Sequence, residues 1–152
     1  MPGQELAITR RRLPHWRLGG AWYFVTFSIK AESLDLDEIS LIRQHIIDRA
    51  KLAYSLSAVC VMPDHVHIIL SPRQGIALSR ILQGLKGASA RLINLRRGKR
   101  GRFWQVESWD RIIRDGAEFH EKLNYMLMNP VKAGLIENPR EWCGWYLGSD
   151  AD

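Results

Sequence analysis

The chain has 152 residues, 46% of them hydrophobic and 25% charged, which suits one globular domain with one core and rules out a disordered or disulfide-dense chain. No apolar run approaches the roughly 18 residues of a membrane span. Lys and Arg number 22 against 16 Asp and Glu, a net charge of +6, which points to an anionic partner rather than to any particular fold.

Residues 1–20 read as a basic arm, with 21–152 as the single folded domain. Arg10, Arg11, Arg12 and Arg17 cluster there beside His15 and Trp16, and Pro14 and Gly19-Gly20 interrupt regular structure. Met1-Pro2-Gly3-Gln4-Glu5 lacks the basic-then-apolar layout of a signal peptide. Cytoplasmic residence is therefore expected, with Cys60 and Cys143 as free thiols and Cys60 buried in an apolar run.

Residues 21–30, AWYFVTFSIK, alternate aromatic and β-branched side chains and predict a strand. Asp35 with Glu38 three residues on is a capping box. Ile39, Ile42, Ile46, Ile47, Ala50 and Ala53 then recur at helical spacing, predicting a helix over 36–53. Residues 54–62 and 65–70, split by the turn signal Pro63-Asp64, predict a hairpin. Leu78, Ile81, Leu82, Leu85, Ala88, Leu92 and Leu95 predict a helix over 76–96, with Gly84 and Gly87 allowing close packing on the sheet.

A basic loop follows, with Arg96, Arg97, Lys99, Arg100 and Arg102 inside seven residues. Residues 103–114 read as a strand or two short ones. Asp115 caps a helix over 116–129 that Pro130 ends. The tail, with Trp142, Trp145 and Tyr146, packs back on the core. The order β-α-β-β-α-β-α implies an α+β fold: a ferredoxin-like βαββαβ sandwich with an antiparallel sheet, helices on one face, and an added C-terminal helix.

Two constellations carry chemistry. His65 and His67 stand two apart on a strand, so both imidazoles face one way and can chelate a divalent cation, while Val66, Ile68 and Leu70 face the other layer. An HxH pattern alone is a weak signal. Its place after a tight turn, on a strongly apolar hairpin, predicts a site both open and rigidly held. Tyr125 falls about 145° from the stripe of Phe119, Leu123, Met126 and Leu127, so it is not a core side chain. Asn129 lies one turn further on. Taken singly, each has an ordinary surface alternative.

Together these segments resemble the single-tyrosine HUH transposases, IS200-like, and especially the branch associated with repetitive extragenic palindromes (REP). The resemblance rests on Met62-Pro63-Asp64-His65-Val66-His67-Ile68-Ile69-Leu70, on Tyr23 to Phe27, on Leu85-Lys86, on Phe103-Trp104-Gln105 with Asp110 to Asp115, and on Tyr125 to Leu135. It covers 22–146. Asp64 departs from the asparagine usual in that family and adds a carboxylate beside the histidines.

The resemblance implies that His65 and His67 are metal ligands, that Asn129 supplies a third, and that Tyr125 is the nucleophile. The cofactor it implies is Mg2+ or Mn2+. The reaction it implies is transesterification on single-stranded, hairpin-forming repetitive DNA through a 5′-phosphotyrosine. Charge assigns DNA contacts to Arg10, Arg11, Arg12, Trp16, Arg17, Lys86, Arg96, Arg97, Lys99, Arg100 and Arg102. A non-catalytic or domesticated nucleic-acid-binding regulator and a water-activating phosphoesterase are the rival functions. The sequence leaves monomer and homodimer both open and points to no membrane.

Overall fold

The computed structural model describes residues 20–148. The elements are β1 (Tyr23–Ile29), α1 (Leu36–Ala53), β2 (Tyr54–Val61), β3 (His65–Pro72), α2 (Leu78–Arg97), β4 (Trp104–Ile112), α3 (Gly116–Lys132), a 3-10 turn (Pro139–Glu141) and β5 (Trp145–Leu147). The strands form one sheet in the order β4-β1-β3-β2-β5. Every pairing in it is antiparallel. This is the expected α+β class, with a fifth strand that the sequence did not announce. The expected arm, with Arg10, Arg11, Arg12, Trp16 and Arg17, lies outside the described residues.

The two faces of the sheet do different work. Val25, Phe27, Val66, Ile68 and Leu70 are buried on the face that α1 and α2 cover. Trp104 Nε1 donates to Ser89 of α2, and the Trp104 ring meets Phe27 edge-on at 4.7 Å. At about 25 cal/mol per Å2 of apolar surface removed from water, such burial is the main drive for the layer. The other face carries Phe24, Thr26, His65 and His67, and α3 lies against it. The two helices of the βαββαβ unit thus share one face, as expected, and the added C-terminal helix takes the other.

Local chemistry fixes the ends of the elements. Asp35 accepts from Glu38 N at 2.8 Å and Glu38 Oε1 accepts from Asp35 N at 2.9 Å, the full capping box. Asp115 caps α3 through Glu118 N. Pro130 does not end α3, contrary to expectation. The helix runs to Lys132, with Ala133 N bonded to Asn129 O. The proline removes the bond that its own N–H would make to the Met126 carbonyl, and the turn beyond it still closes through Ala133 N and Leu135 N. The stop comes at Gly134, with φ +74, which closes the end through Leu135 N to Pro130 O.

Two details of α2 differ from the expected stripe. Ile93 is fully buried while Leu95 is 81% exposed, because two residues along a helix stand about 200° apart around it. Gly84 makes room for the Arg49 guanidinium of α1 rather than for the sheet, and Gly87 faces open space. The tail packs as expected. Trp142 and Trp145 are buried, and Trp142 Nε1 donates to Val61 O at 2.9 Å. A Cβ at Gly144 would run into the Val61 carbonyl, so only glycine lets β5 start here. Cys60 and Cys143 are free thiols, as expected, and burial pushes Cys60 up to about 12.

Candidate active site

The register of β1 and β3 builds the first half of the site. Thr26 pairs with His67, and Ser28 with His65. Thr26 Oγ1 lies 2.7 Å from His67 Nδ1. On the other side of the ring, Nε2 lies 3.3 Å from Asn129 Nδ2. One tautomer satisfies both contacts: Nδ1–H donates to the hydroxyl, and the Nε2 lone pair accepts from the amide. Thr26 is a site residue that sequence reading missed. It signals nothing by type, and only the strand register singles it out.

His65 stands 4.7 Å from His67, centroid to centroid. Its Nδ1 is 2.7 Å from Asp64 Oδ1. The carboxylate that departs from the family pattern therefore orients an imidazole, the usual partner of a metal-ligating histidine. With both Nδ1 atoms engaged, the Nε2 atoms are the nitrogens that could ligate a metal.

The expectation of an open histidine face is corrected for His67, which is only 5% exposed. The ring stacks on Phe24 at 5.3 Å and 18° and meets Tyr125 at 5.5 Å. Burial first, then the electrostatic influence of His65 and Lys122, push its pKa down to about 3. His67 is neutral at physiological pH, with its lone pair available.

Helix α3 builds the second half. Its N-terminus is pinned by Arg111 of β4, which holds Glu118 at 2.7 Å, and by the edge-on packing of Phe119 against Trp22 at 5.6 Å. Phe119, Leu123, Met126 and Leu127 are buried, as their spacing predicted. Tyr125 projects off that stripe, 47% exposed, with its ring 6.3 Å from Phe24 and 5.5 Å from His67. Lys122, one turn before it, holds its ammonium 5.2 Å over the Phe24 ring. Lys122 is a second residue that sequence reading passed over.

The donor set fits a divalent ion. Among the described residues, no three His, Cys, Asp or Glu gather as a metal cluster. The set here is two imidazoles and an amide, and flipping the Asn129 amide brings its oxygen toward His67 Nε2.

The basic residues divide. Arg97 is engaged within the fold. It lies between Glu38, at 2.7 Å, and the carbonyls of Glu32 and Ser33. Glu38 is held below the usual carboxylate range, chiefly by its Arg97 hydrogen bond. Lys86 is engaged likewise. Its Nζ donates to Gln105 O, Val106 O and Ser108 Oγ, which uses all three of its donors. Arg96 and Lys99 reach Asp37 and Glu32 only loosely, at 3.6 and 3.8 Å. Arg100 and Arg102 are exposed. The loop that carries them leads into Phe103, whose carbonyl accepts from Lys30 N and Ala31 N. That is the sheet end where His65 begins β3.

Comparison with known proteins gives the family and the fold. The family described as "Transposase IS200 like" matches residues 31–112, just over half the chain. The chain belongs to the IS200-like transposase family. The matched stretch holds His65 and His67 and ends before Tyr125 and Asn129. This transposase is also 24% identical over 127 residues to the REP-associated tyrosine transposase of Escherichia coli (strain K12), covering 82% of this chain and 74% of that one. It is 24% identical over 136 residues to a candidate REP-associated tyrosine transposase of Haemophilus influenzae, covering 82% and 77%. A solved REP-associated tyrosine transposase bound to a REP hairpin shares the fold, with TM-score 0.70 and 20% identity over 88% of this chain and 89% of that chain. Among the described residues of this transposase, no helix is long and apolar enough to cross a membrane.

Proposed function

We propose that this transposase cuts and rejoins single-stranded, hairpin-forming DNA, with Tyr125 as nucleophile and with His65, His67 and Asn129 holding a divalent ion, Mg2+ or Mn2+. The observation that carries the reading is the meeting of α3 with β3. Tyr125 packs 5.5 Å from the His67 ring, and Asn129 reaches the same ring's Nε2.

The phenol oxygen attacks a backbone phosphorus. The bond from phosphorus to the upstream 3′ oxygen breaks, leaving a free 3′-OH and a 5′-phosphotyrosine. One phosphodiester is exchanged for another, so the reverse attack by a 3′-OH rejoins strands without an outside energy source. A free tyrosine has a pKa of about 10 and is a poor nucleophile at neutral pH. A bound divalent ion supplies charge stabilisation at the phosphate. Thr26 and Asp64 orient the two imidazoles. Lys122 adds positive charge beside the phenol. Arg100 and Arg102, with the arm cations, grip the backbone.

The hairpin substrate follows from the relatives named for REP elements and from the basic charge. The test is incubation of the protein and Mn2+ with single-stranded hairpins from the surrounding genome, resolved on a denaturing gel. The reading requires a protein–DNA adduct that survives denaturation and disappears with chelator. Absence of the adduct with every hairpin would overturn it.

A further inference from the structure

A pocket beside the active site is unused by the chemistry above. On β1 and β4 the register places Trp109 opposite Thr26, and Thr26 opposite His67. The three side chains therefore stand in a row on one face of the sheet. Neighbouring strands are about 4.8 Å apart, so Trp109 lies about 10 Å from His67 across the sheet. Trp109 is 78% exposed, a cost in water that no core packing repays at this sheet edge. Below it, β4 bulges away from β1: the pairing shifts between Phe27 and Ile29. The bulge opens a cavity of about 370 Å3 lined by Thr26, Ser28, Gln105, Val106, Glu107 and Trp109, a size usual for small-ligand sites. Lys86 fixes the bulge from behind through the carbonyls of Gln105 and Val106. Bulges of this kind re-aim side chains next to active sites.

The lining has the chemistry of a base-binding site. An exposed tryptophan offers a stacking face. The Glu107 side chain is an acceptor with no partner among the described residues. Gln105 adds an amide that can both donate and accept. An unpartnered carboxylate would repel a phosphate, but it accepts readily from an exocyclic amine of a base.

We propose that this pocket receives one unpaired nucleobase carrying an exocyclic amine, next to the phosphate at Tyr125, with Trp109 stacking on it and Glu107 reading its amine. The inference rests on the single-stranded DNA reading above and adds to it a specificity site: the pocket would select the base that flanks the cut.

The test is a coupling experiment on binding. A Tyr125→Phe background prevents covalent capture. Dissociation constants are measured by fluorescence anisotropy for a genomic hairpin with single-stranded extensions, and for a series in which one position at a time is abasic. Trp109→Ala should weaken binding of the intact strand about tenfold, in line with the loss of one base–aromatic stack. Trp109→Phe should restore most of it. On one abasic strand, and only that one, Trp109→Ala should cost nothing further. Glu107→Gln should reduce the preference for an amine-bearing base at that position over thymine. Equal binding by Trp109→Ala and the parent, or an equal loss on every abasic strand, would overturn the pocket. The two readings fail separately. An adduct formed by the wild-type protein without the coupling removes the pocket and leaves the transposase chemistry. The coupling without an adduct removes the chemistry and leaves the pocket.

Discussion

Thr26 and His67 face each other across β1 and β3, with the hydroxyl 2.7 Å from Nδ1, and that hydrogen bond leaves Nε2 as the one ring nitrogen able to ligate a metal. Thr26→Val keeps the shape and removes the oxygen. It should lower Mn2+ affinity about tenfold or more, as removal of an outer hydrogen bond does, while cleavage recovers at higher Mn2+. Titration calorimetry and a metal titration of cleavage measure the two. Unchanged affinity would mean that the ring is oriented by Phe24 and Asn129 alone.

The two histidines differ in burial, and their substitutions should differ in stability. His67 is 5% exposed and sits between Phe24, Thr26 and Tyr125. His67→Ala should cost about 1–3 kcal/mol. The His65 side chain is 24% exposed, and His65→Ala should cost under about 1 kcal/mol. Both should abolish cleavage. Urea unfolding separates the structural effect from the catalytic one, and equal costs would refute the packed position of His67.

Arg97 and Arg100 should part company in the same way. Arg97→Ala strands the buried Glu38 carboxylate and should cost about 3 kcal/mol with little change in the salt dependence of DNA binding. Arg100→Ala with Arg102→Ala should leave stability alone and flatten the salt slope by about one unit for each phosphate that is no longer neutralised. The Glu38 pair also sets a pH dependence. The Glu38 carboxyl is held below its ordinary value by Arg97, so its contribution is full above the unfolded carboxylate range and is lost as pH falls through the lowered value. Acid unfolding of the wild type should therefore shift to higher pH in Arg97→Ala.

Much of this was legible in the chain, for reasons that differ from residue to residue. His65 and His67 share a face because a strand repeats every two residues, and no tertiary packing can alter that. Tyr125 stands off the α3 stripe by the same kind of geometry. Thr26 was invisible because threonine is ordinary in strands and only the β1–β3 register gives it a partner. The fold role of Arg97 was hidden because a count of charges does not show that Glu38, far away in sequence, lies against it. β5 is three residues long, too short for any alternation to appear. Pro130 misled because the bias against helical geometry before a proline is a tendency that the packing of a buried ring can override.

Tyr125→Phe tests the central claim most directly. The change removes one oxygen and keeps the ring against His67 and Phe24, so folding stability and hairpin affinity should match the wild type. Cleavage and the covalent adduct, measured together on one denaturing gel with Mn2+ and a genomic hairpin, should vanish together. Cleavage that persists without an adduct would contradict the account, because it would mean that water rather than Tyr125 attacks the phosphate.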